Sequence, residues 1–442
     1  MARIAGVAVL LAAFATAQDP PEDPLQQRVE RLERELAEER ARGEKREQRL
    51  AELEGALEKA TDALARAQDR RDLEAEIDAY LERKAPVSGD AAPSRLSIGG
   101  VLVISARFTD LAGNAPRSNT FQVEERYLRF VYRFSDDVTA RYYTDGSLAE
   151  LEWHHAEWLR FNVGQVVVPF GQFNARSFPD TFDTLSRPLL YLGDEDTFTQ
   201  PANNPRPVFR SIYSDTSIVA SGNRWRDADQ LYYAFFVTNG LVGTSDLAQG
   251  SGFSDNNDNK QIGARAAYTL ANPWERSRFG FGVSWMTGKY DTANSLSYRM
   301  YGADFVWVLE NLFSGEGSLT VRGEYVYAPR EIRPAVVGDP TTFLNEASRV
   351  QGAYLLVEVR IDSLWMVYAE SDWMARKGPQ LTGGFIDPSN TADATANLFR
   401  FAAGVVRKFP IGIVWKLEYA FWDFDLGAPD AHRFSTQLVV PF

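Results

Sequence analysis

Two hydrophobic periods divide the chain. From Leu25, apolar residues recur at alternating steps of four and three, at Leu25, Val29, Leu32 and Leu36 and again at Leu50, Leu53, Leu57, Ala60, Leu64 and Ala67. This a/d spacing predicts a helical coiled-coil seam. Glu39, Gly43 and Arg46 occupy seam positions and weaken it, and the register slips after Arg71. A helix over residues 25–83 would reach about 90 Å at 1.5 Å per residue. Ala85, Pro86, Ser88, Gly89, Pro93 and Ser94 then form a linker that ends the helix. From Leu96 the period becomes two. Ile98, Leu102, Ile104 and Phe108 fall on one face, with Ser97, Ser105 and Arg107 on the other. The same alternation sets Leu128, Phe130, Tyr132 and Phe134 against Arg129 and Arg133, and Leu319, Val321 and Tyr325 against Thr320, Arg322 and Glu324. It recurs with Leu355, Val357, Val359 and Ile361 against Glu358 and Arg360, and with Trp415, Leu417, Tyr419 and Phe421 against Lys416 and Glu418. Sixteen such segments can be drawn before the end of the chain.

A soluble β-sandwich would also alternate, so the connectors decide between the two. With the first strand taken as running upward, the lower connections are short: Ser135–Asp137, Ala271–Glu275, Ile361–Ser363 and Phe409 with Pro410. The upper ones are mostly long: Thr109–Thr120, Pro169–Arg210, Gly240–Lys260, Pro329–Val350 and Ala375–Asn397, with Gly146 and Ser147 as a short exception. Short turns on one rim and long loops on the other are the pattern of outer-membrane barrels. The last segment carries Phe434, Leu438, Val440 and Phe442 on one face, the terminal assembly signal that resembles bacterial outer-membrane proteins. The expected fold is therefore all-β, a sixteen-stranded antiparallel transmembrane β-barrel preceded by a helical coiled-coil segment.

Composition narrows the function. Ten Trp, 18 Tyr and 28 Phe accompany a mean hydropathy of −0.30, which suits alternating strands and not helical spans of about 20 apolar residues. The absence of Cys excludes a disulfide scaffold, a thiolate metal site and a Cys nucleophile. A net charge of −13 argues against a nucleic-acid partner. Arg3, the apolar run Ile4–Phe14 and the small residues Ala15 and Ala17 read as a secretory signal, with the mature chain starting near Gln18. The expected organisation is a signal peptide over 1–17, a periplasmic coiled coil over 18–84, a linker over 85–95 and a barrel over 96–442.

Three phrases resemble the phosphate-selective porin O and P family: NVGQVVVPFGQF at Asn162–Phe173, EERYLRFVYRF at Glu124–Phe134 and YYAFFVTNG at Tyr232–Gly240. The resemblance implies a trimeric sixteen-stranded outer-membrane channel whose third loop folds into the lumen and narrows it. The loop in question is Pro169–Arg210, the longest connector, and its candidate constriction charges are Arg176, Asp180, Asp183, Arg187 and Arg206. The inferred lumen faces carry Arg129, Arg133, Arg141, Arg160, Arg322, Glu324, Glu358, Arg360, Lys416 and Glu418. Glu324, Glu358 and Glu418 stand two residues from Arg322, Arg360 and Lys416, which suggests lumen pairs as readily as an anion track. Past Leu96 only five lysines occur, at 260, 289, 377, 408 and 416. The family's lysine centre is therefore not evident, and a weak anion preference is expected in place of tight phosphate binding.

Other chemistry is poorly supported. His154 and His155 are adjacent and point to opposite faces of a strand, so they cannot chelate one ion. Asp255–Asn259 lacks the spacing of a calcium loop. No catalytic constellation, metal site or cofactor is expected. The reading is a passive porin in the cell outer membrane, contacting lipid, assembling as a homotrimer and passing small hydrophilic or anionic solutes, with its N-terminal segment in the periplasm. The rival is a structural anchor that tethers the coiled coil to the cell wall. Removal of residues 18–84 should leave a barrel but weaken its oligomer, as light scattering at matched detergent would show. A full-length monomer would defeat the idea.

Overall fold

The computed structural model describes residues 95–442 except 112–117, 177, 179–181, 192–207, 210–212, 227–228, 243–248, 251–257, 272, 274–275, 313–316, 383–384, 388–392 and 426–429. The signal and coiled-coil segments lie outside the described residues, as do Asp180 and Arg206. Sixteen antiparallel strands close into one barrel. They are β1 (Leu96–Leu111), β2 (Ser118–Arg133), β3 (Val138–Tyr143), β4 (Ala149–Ala156), β5 (Leu159–Val167), β6 (Ser214–Arg226), β7 (Asp229–Thr238) and β8 (Gln261–Ala271). The second half comprises β9 (Ser277–Lys289), β10 (Ser297–Leu312), β11 (Gly317–Ile332), β12 (Glu346–Arg360), β13 (Trp365–Pro379), β14 (Asp393–Lys408), β15 (Val414–Phe424) and β16 (Ala431–Pro441).

Each strand joins its sequence neighbour, and β16 joins β1. The period of two is what makes this possible: successive side chains point to opposite faces, so an apolar outer face and a polar inner face can follow one another around the ring. On β14, Phe399 and Phe401 are exposed outward while Leu398, Arg400 and Ala402 are buried inward. On β11, Tyr325 faces out and Glu324 and Val326 face in.

One irregularity resets the alternation. The β1–β2 register shifts between Val103 and Ile104, so Val103 opposes Glu125 and Ile104 opposes Val123. Glu124 is the extra residue of a β-bulge. Both neighbouring carboxylates consequently reach interior partners, Glu124 meeting Arg107 and Gln437 and Glu125 meeting Arg187. Arg126 is turned to the outside.

The barrel seam closes at the lower rim. Gly100 N donates to Phe442 O at 2.7 Å, and Phe442 N donates to Gly100 O at 3.0 Å. The Phe442 ring lies over Gly100, where an added Cβ would come within 2.4 Å of it. Glycine at this position thus lets the ring cover the seam.

The upper hairpins are longer than the alternation suggests. Thr109–Thr120, Pro329–Val350 and Ala375–Asn397 read as loops, yet β1 and β2 extend to Leu111 and Ser118, β11 and β12 to Ile332 and Glu346, and β13 and β14 to Pro379 and Asp393. The ladder continues past the strictly alternating apolar positions, because backbone pairing does not depend on outward hydrophobic side chains. Short strands at Ala335–Val336, Asp339–Phe343, Leu381–Thr382 and Phe385–Ile386 form a small sheet within these upper connectors. Replacing Phe442 with Ala should slow refolding into lipid vesicles severalfold and lower the temperature at which the folded gel band is lost. Unchanged refolding would show that the backbone pairs with Gly100 close the seam unaided.

Candidate functional site

The connector between β5 and β6 turns into the barrel instead of standing over it. Its neck is tied by Asn174, whose Nδ2 donates to Val168 O at 2.7 Å and Tyr213 O at 2.9 Å, while Tyr213 N donates to Asn174 Oδ1 at 2.8 Å. Gly171 adopts φ 68°, and a Cβ there would come within 1.9 Å of Glu324 Oε1, so the sharp entry requires glycine. Beyond the neck the connector builds its own aromatic core. Phe170, Phe173, Phe182, Leu189, Leu190, Tyr191 and Phe209 are all buried, with Tyr191 stacked on Phe209 at 5.1 Å and Phe209 on Tyr213 at 5.0 Å.

Inward carboxylates hold this insert by its backbone. Glu324 of β11 accepts from Gln172 N at 3.1 Å and Phe173 N at 3.2 Å, and from the Tyr191 hydroxyl. Asp372 of β13 accepts from Leu189 N at 2.9 Å. Glu418 of β15 accepts from Ser186 N at 3.1 Å, from the Ser186 hydroxyl and from Tyr368 Oη at 2.8 Å. Lys416 Nζ completes the set by donating to Phe182 O at 2.8 Å and Thr184 O at 2.9 Å. Burial, and then the adjacent Glu324 carboxylate, push the Tyr191 phenol well above its ordinary value. It stays a neutral donor.

The insert also reaches further strands, on both sides of the ring. Arg187 pairs with Glu125 of β2, Asp183 lies 3.2 Å from Lys408 of β14, and Phe178 packs on Tyr127 and Tyr143 of β2 and β3. Arg129 stacks over Tyr127 and Tyr143 at 5.2 and 5.1 Å and over Phe178 at 6.0 Å. The described part of the connector therefore touches β2, β3, β9, β11, β12, β13, β14, β15 and β16, bracing the barrel across its interior.

All ten candidate lumen residues fall on the inward face by register, but their surroundings differ. Glu324, Lys416 and Glu418 lie beneath the insert as its anchors and do not line open space. The spacing of two residues also misidentifies partners. Arg322 Nε meets Glu358 on the neighbouring strand at 2.8 Å, and Lys416 and Glu418 each bind the insert. Strand neighbours at i and i+2 stand one above the other, whereas cross-strand and loop groups approach more closely.

On β3–β5, Arg141 Nη1 is 2.8 Å from both Glu150 and Glu152, and Arg160 is 3.6 Å from Glu152. In each pair the base is the more accessible member. Side-chain exposure is 26% for Arg141 against 6% for Glu150, 42% for Arg160 against 12% for Glu152, and 15% for Arg322 against 6% for Glu358. Arg133 and Arg360 also point inward. Arg176, on the insert, is drawn below its ordinary value by burial and then by the nearby Arg322, with Glu358 and Asp183 opposing the shift.

Charge-based reading of the sequence missed the insert's aromatic core and two buried clusters. Arg400 of β14 bonds Asp372 at 2.9 Å and also Glu370, and Arg265 of β8 bonds Asp304 of β10 at 2.9 Å. Phe170, Phe173, Phe178 and Phe182 were the available signal, since a purely hydrated loop would not carry so many apolar rings. His154 opposes Arg160 on the inward face, and His155 sits with Trp153 and Trp158, 5.3 and 6.2 Å away.

No family model and no curated protein matches this chain. Similar solved structures include OmpF of Salmonella typhi, 14% identical with a TM-score of 0.47 over 78% of this chain and 97% of that one. An anion-selective porin from Comamonas acidovorans is 10% identical, with a TM-score of 0.45 over 78% and 99%. The outer membrane channel DcaP of Acinetobacter baumannii is 13% identical, with a TM-score of 0.45 over 80% and 100%.

Replacing Glu418 with Ala should free the middle of the insert. Losing hydrogen bonds to a charged acceptor, about 1.5–3 kcal/mol each, corresponds to roughly tenfold to hundredfold faster amide exchange around Ser186. Unchanged exchange would mean that apolar packing alone holds the insert.

Proposed function

We propose that this chain is an outer-membrane porin through which small hydrophilic solutes diffuse passively. The observation that carries this reading is the polarity of the barrel. Val283, Ile218, Phe235, Phe399 and Phe401 are exposed on its outer face, while Arg141, Glu152, Arg265, Asp304 and Arg322 occupy the inner one. A soluble barrel would place these classes the other way round, because a large exposed apolar surface is stable only against lipid or protein. The insert sets the diameter of the passage. No chemistry is needed, since selection follows from width and from the charges lining the path.

The finer reading is a homotrimer of the phosphate-selective porin O and P type, with the coiled coil in the periplasm. The phrase Asn162–Phe173, which leads into the insert, supports the subtype. The charge preference is weakly anionic. It follows from the exposure asymmetry at Arg141, Arg160 and Arg322, whose guanidinium groups meet water while Glu150, Glu152 and Glu358 are sunk into the wall. Such a field fades with salt, as the Debye length falls from about 10 Å at 0.1 M to about 3 Å at 1 M.

Purified protein in planar bilayers should therefore open channels whose reversal potential in a salt gradient favours anions modestly at low salt. Replacing Arg160 with Ala uncovers Glu152 and should move that potential toward cations, and phosphate should compete with chloride only weakly. Silence from correctly folded protein would defeat the porin reading. A wild-type channel already selective for cations would defeat the charge assignment.

A further inference from the structure

Two short turns of the lower rim stand side by side and fix one arginine between rings. The chain leaves β12 at Arg360 and enters β13 at Trp365, and it leaves β14 at Lys408 and enters β15 at Val414. Ile361 N donates to Trp365 O at 2.9 Å and Phe409 N to Ile413 O at 2.8 Å, which closes each turn. Lys408 N donates to Leu364 O at 2.8 Å and ties the two turns together. Arg407 faces outward here, on the side of β14 that exposes Phe399 and Phe401, while Val406 beside it is buried inward. Its guanidinium carbon lies 4.9 Å from the Trp365 ring centroid and 5.0 Å from that of Phe409. Trp365 and Trp415 are its Cα partners on the two neighbouring strands.

Contact with two rings orients the planar guanidinium but uses none of its N–H groups. Among the described residues Arg407 makes no hydrogen bond or ion pair. The acid of the adjoining turn, Asp362, is occupied, because it accepts from Leu364 N at 2.8 Å and Trp365 N at 2.7 Å. The next outward row up the wall is apolar: Val367, Val405 and Leu417 stand side by side. At the turns themselves Ile361 is 44% exposed and Ile411 is 73% exposed. The arrangement is thus a held cation with free donors, set among rings and aliphatic side chains. A soluble anion would satisfy the donors and leave Ile361 and Ile411 in water, whereas an anion carried on an apolar body satisfies both.

We propose that Arg407, Trp365 and Phe409 form a binding site for the phosphodiester of a membrane phospholipid at the lower rim. Two phosphate oxygens meet the guanidinium edge, and the glycerol and upper acyl carbons lie against the rings and the exposed isoleucines. The lower end of β6 offers a reduced version, since Arg224 lies over Trp158 alone, at 5.6 Å. The proposal rests on the membrane reading above, and the test separates the two.

The full-length protein in a non-ionic detergent would be titrated with phosphatidylglycerol and the retained lipid counted by native mass spectrometry. Arg407→Gln should raise the dissociation constant of the tightest lipid about tenfold, the lower end for hydrogen bonds between charged groups. Trp365→Leu keeps the charge and should raise it severalfold, which tests the site even if the first variant does not fold. Arg224→Gln should change it little. Diacylglycerol, which lacks the phosphate, should bind more weakly and equally to wild type and Arg407→Gln. Inorganic phosphate at the lipid's concentration should displace nothing. An unchanged constant in folded Arg407→Gln would overturn the site while leaving the membrane reading intact. An equal loss in Arg224→Gln would also overturn it, because general charge at the rim would then hold the lipid. Displacement by inorganic phosphate would mark a soluble-anion site and overturn the lipid assignment. Retention of neither lipid would overturn the membrane reading and the site together.

Discussion

Closure of the hydrogen-bond ladder is the constraint on which the rest of the structure depends. An unpaired backbone N–H or C=O taken away from water costs several kcal/mol, so a sheet whose outer face is apolar gains from having no edge. Pairing of β16 with β1 removes the last edge, and Phe442 over Gly100 extends that pairing to the lower rim. Once the ring is closed, the period of two acts everywhere at once. Every second residue must suit an apolar exterior, and every residue between must suit an interior that holds charge.

The interior then poses an electrostatic problem. Removing an ion from water costs several kcal/mol unless close partners replace the lost hydration. The wall meets this cost in two ways. On β3–β5 and β11–β12 it matches bases with acids across strands, as Arg141 with Glu150 and Glu152 and Arg322 with Glu358. On β11, β13 and β15 it uses the insert itself: Glu324, Asp372 and Glu418 receive backbone N–H groups, and Lys416 gives its protons to backbone carbonyls. The same contacts satisfy backbone groups of a connector that would otherwise lie unpaired inside a protein. Wall and insert therefore stabilise each other.

The two sides of the barrel consequently do different work. The anchoring side buries its charges completely, and Arg400, Lys416 and Glu418 have almost no contact with water. The side formed by β3–β5 keeps guanidinium groups accessible, with Arg160 the most open of its paired bases. Residues of one type, on one inner face, thus divide into structural and solvent-facing sets according to whether the insert lies over them.

Much of the fold was legible in the sequence. Alternation from Leu96 determined the class, the number of strands and the facing of Arg129, Arg133, Arg322, Glu358 and Lys416, because the pleat makes facing a local property. Connector lengths distinguished the two rims and singled out the stretch after Val167. What lay beyond reach depends on contacts between residues far apart in the chain. The pairing of Ser186 with Glu418 or of Phe173 with Glu324 joins positions that no local period relates. The bulge at Glu124, which turns Arg126 outward, sets two residues of β2 against one step of β1, and only the pairing of the two strands fixes which residue is the extra one. Sequence by itself determined which face each strand presents. Only the closed barrel, with its insert, decided which inward charges meet water and which serve as fastenings, because that depends on what lies across the lumen.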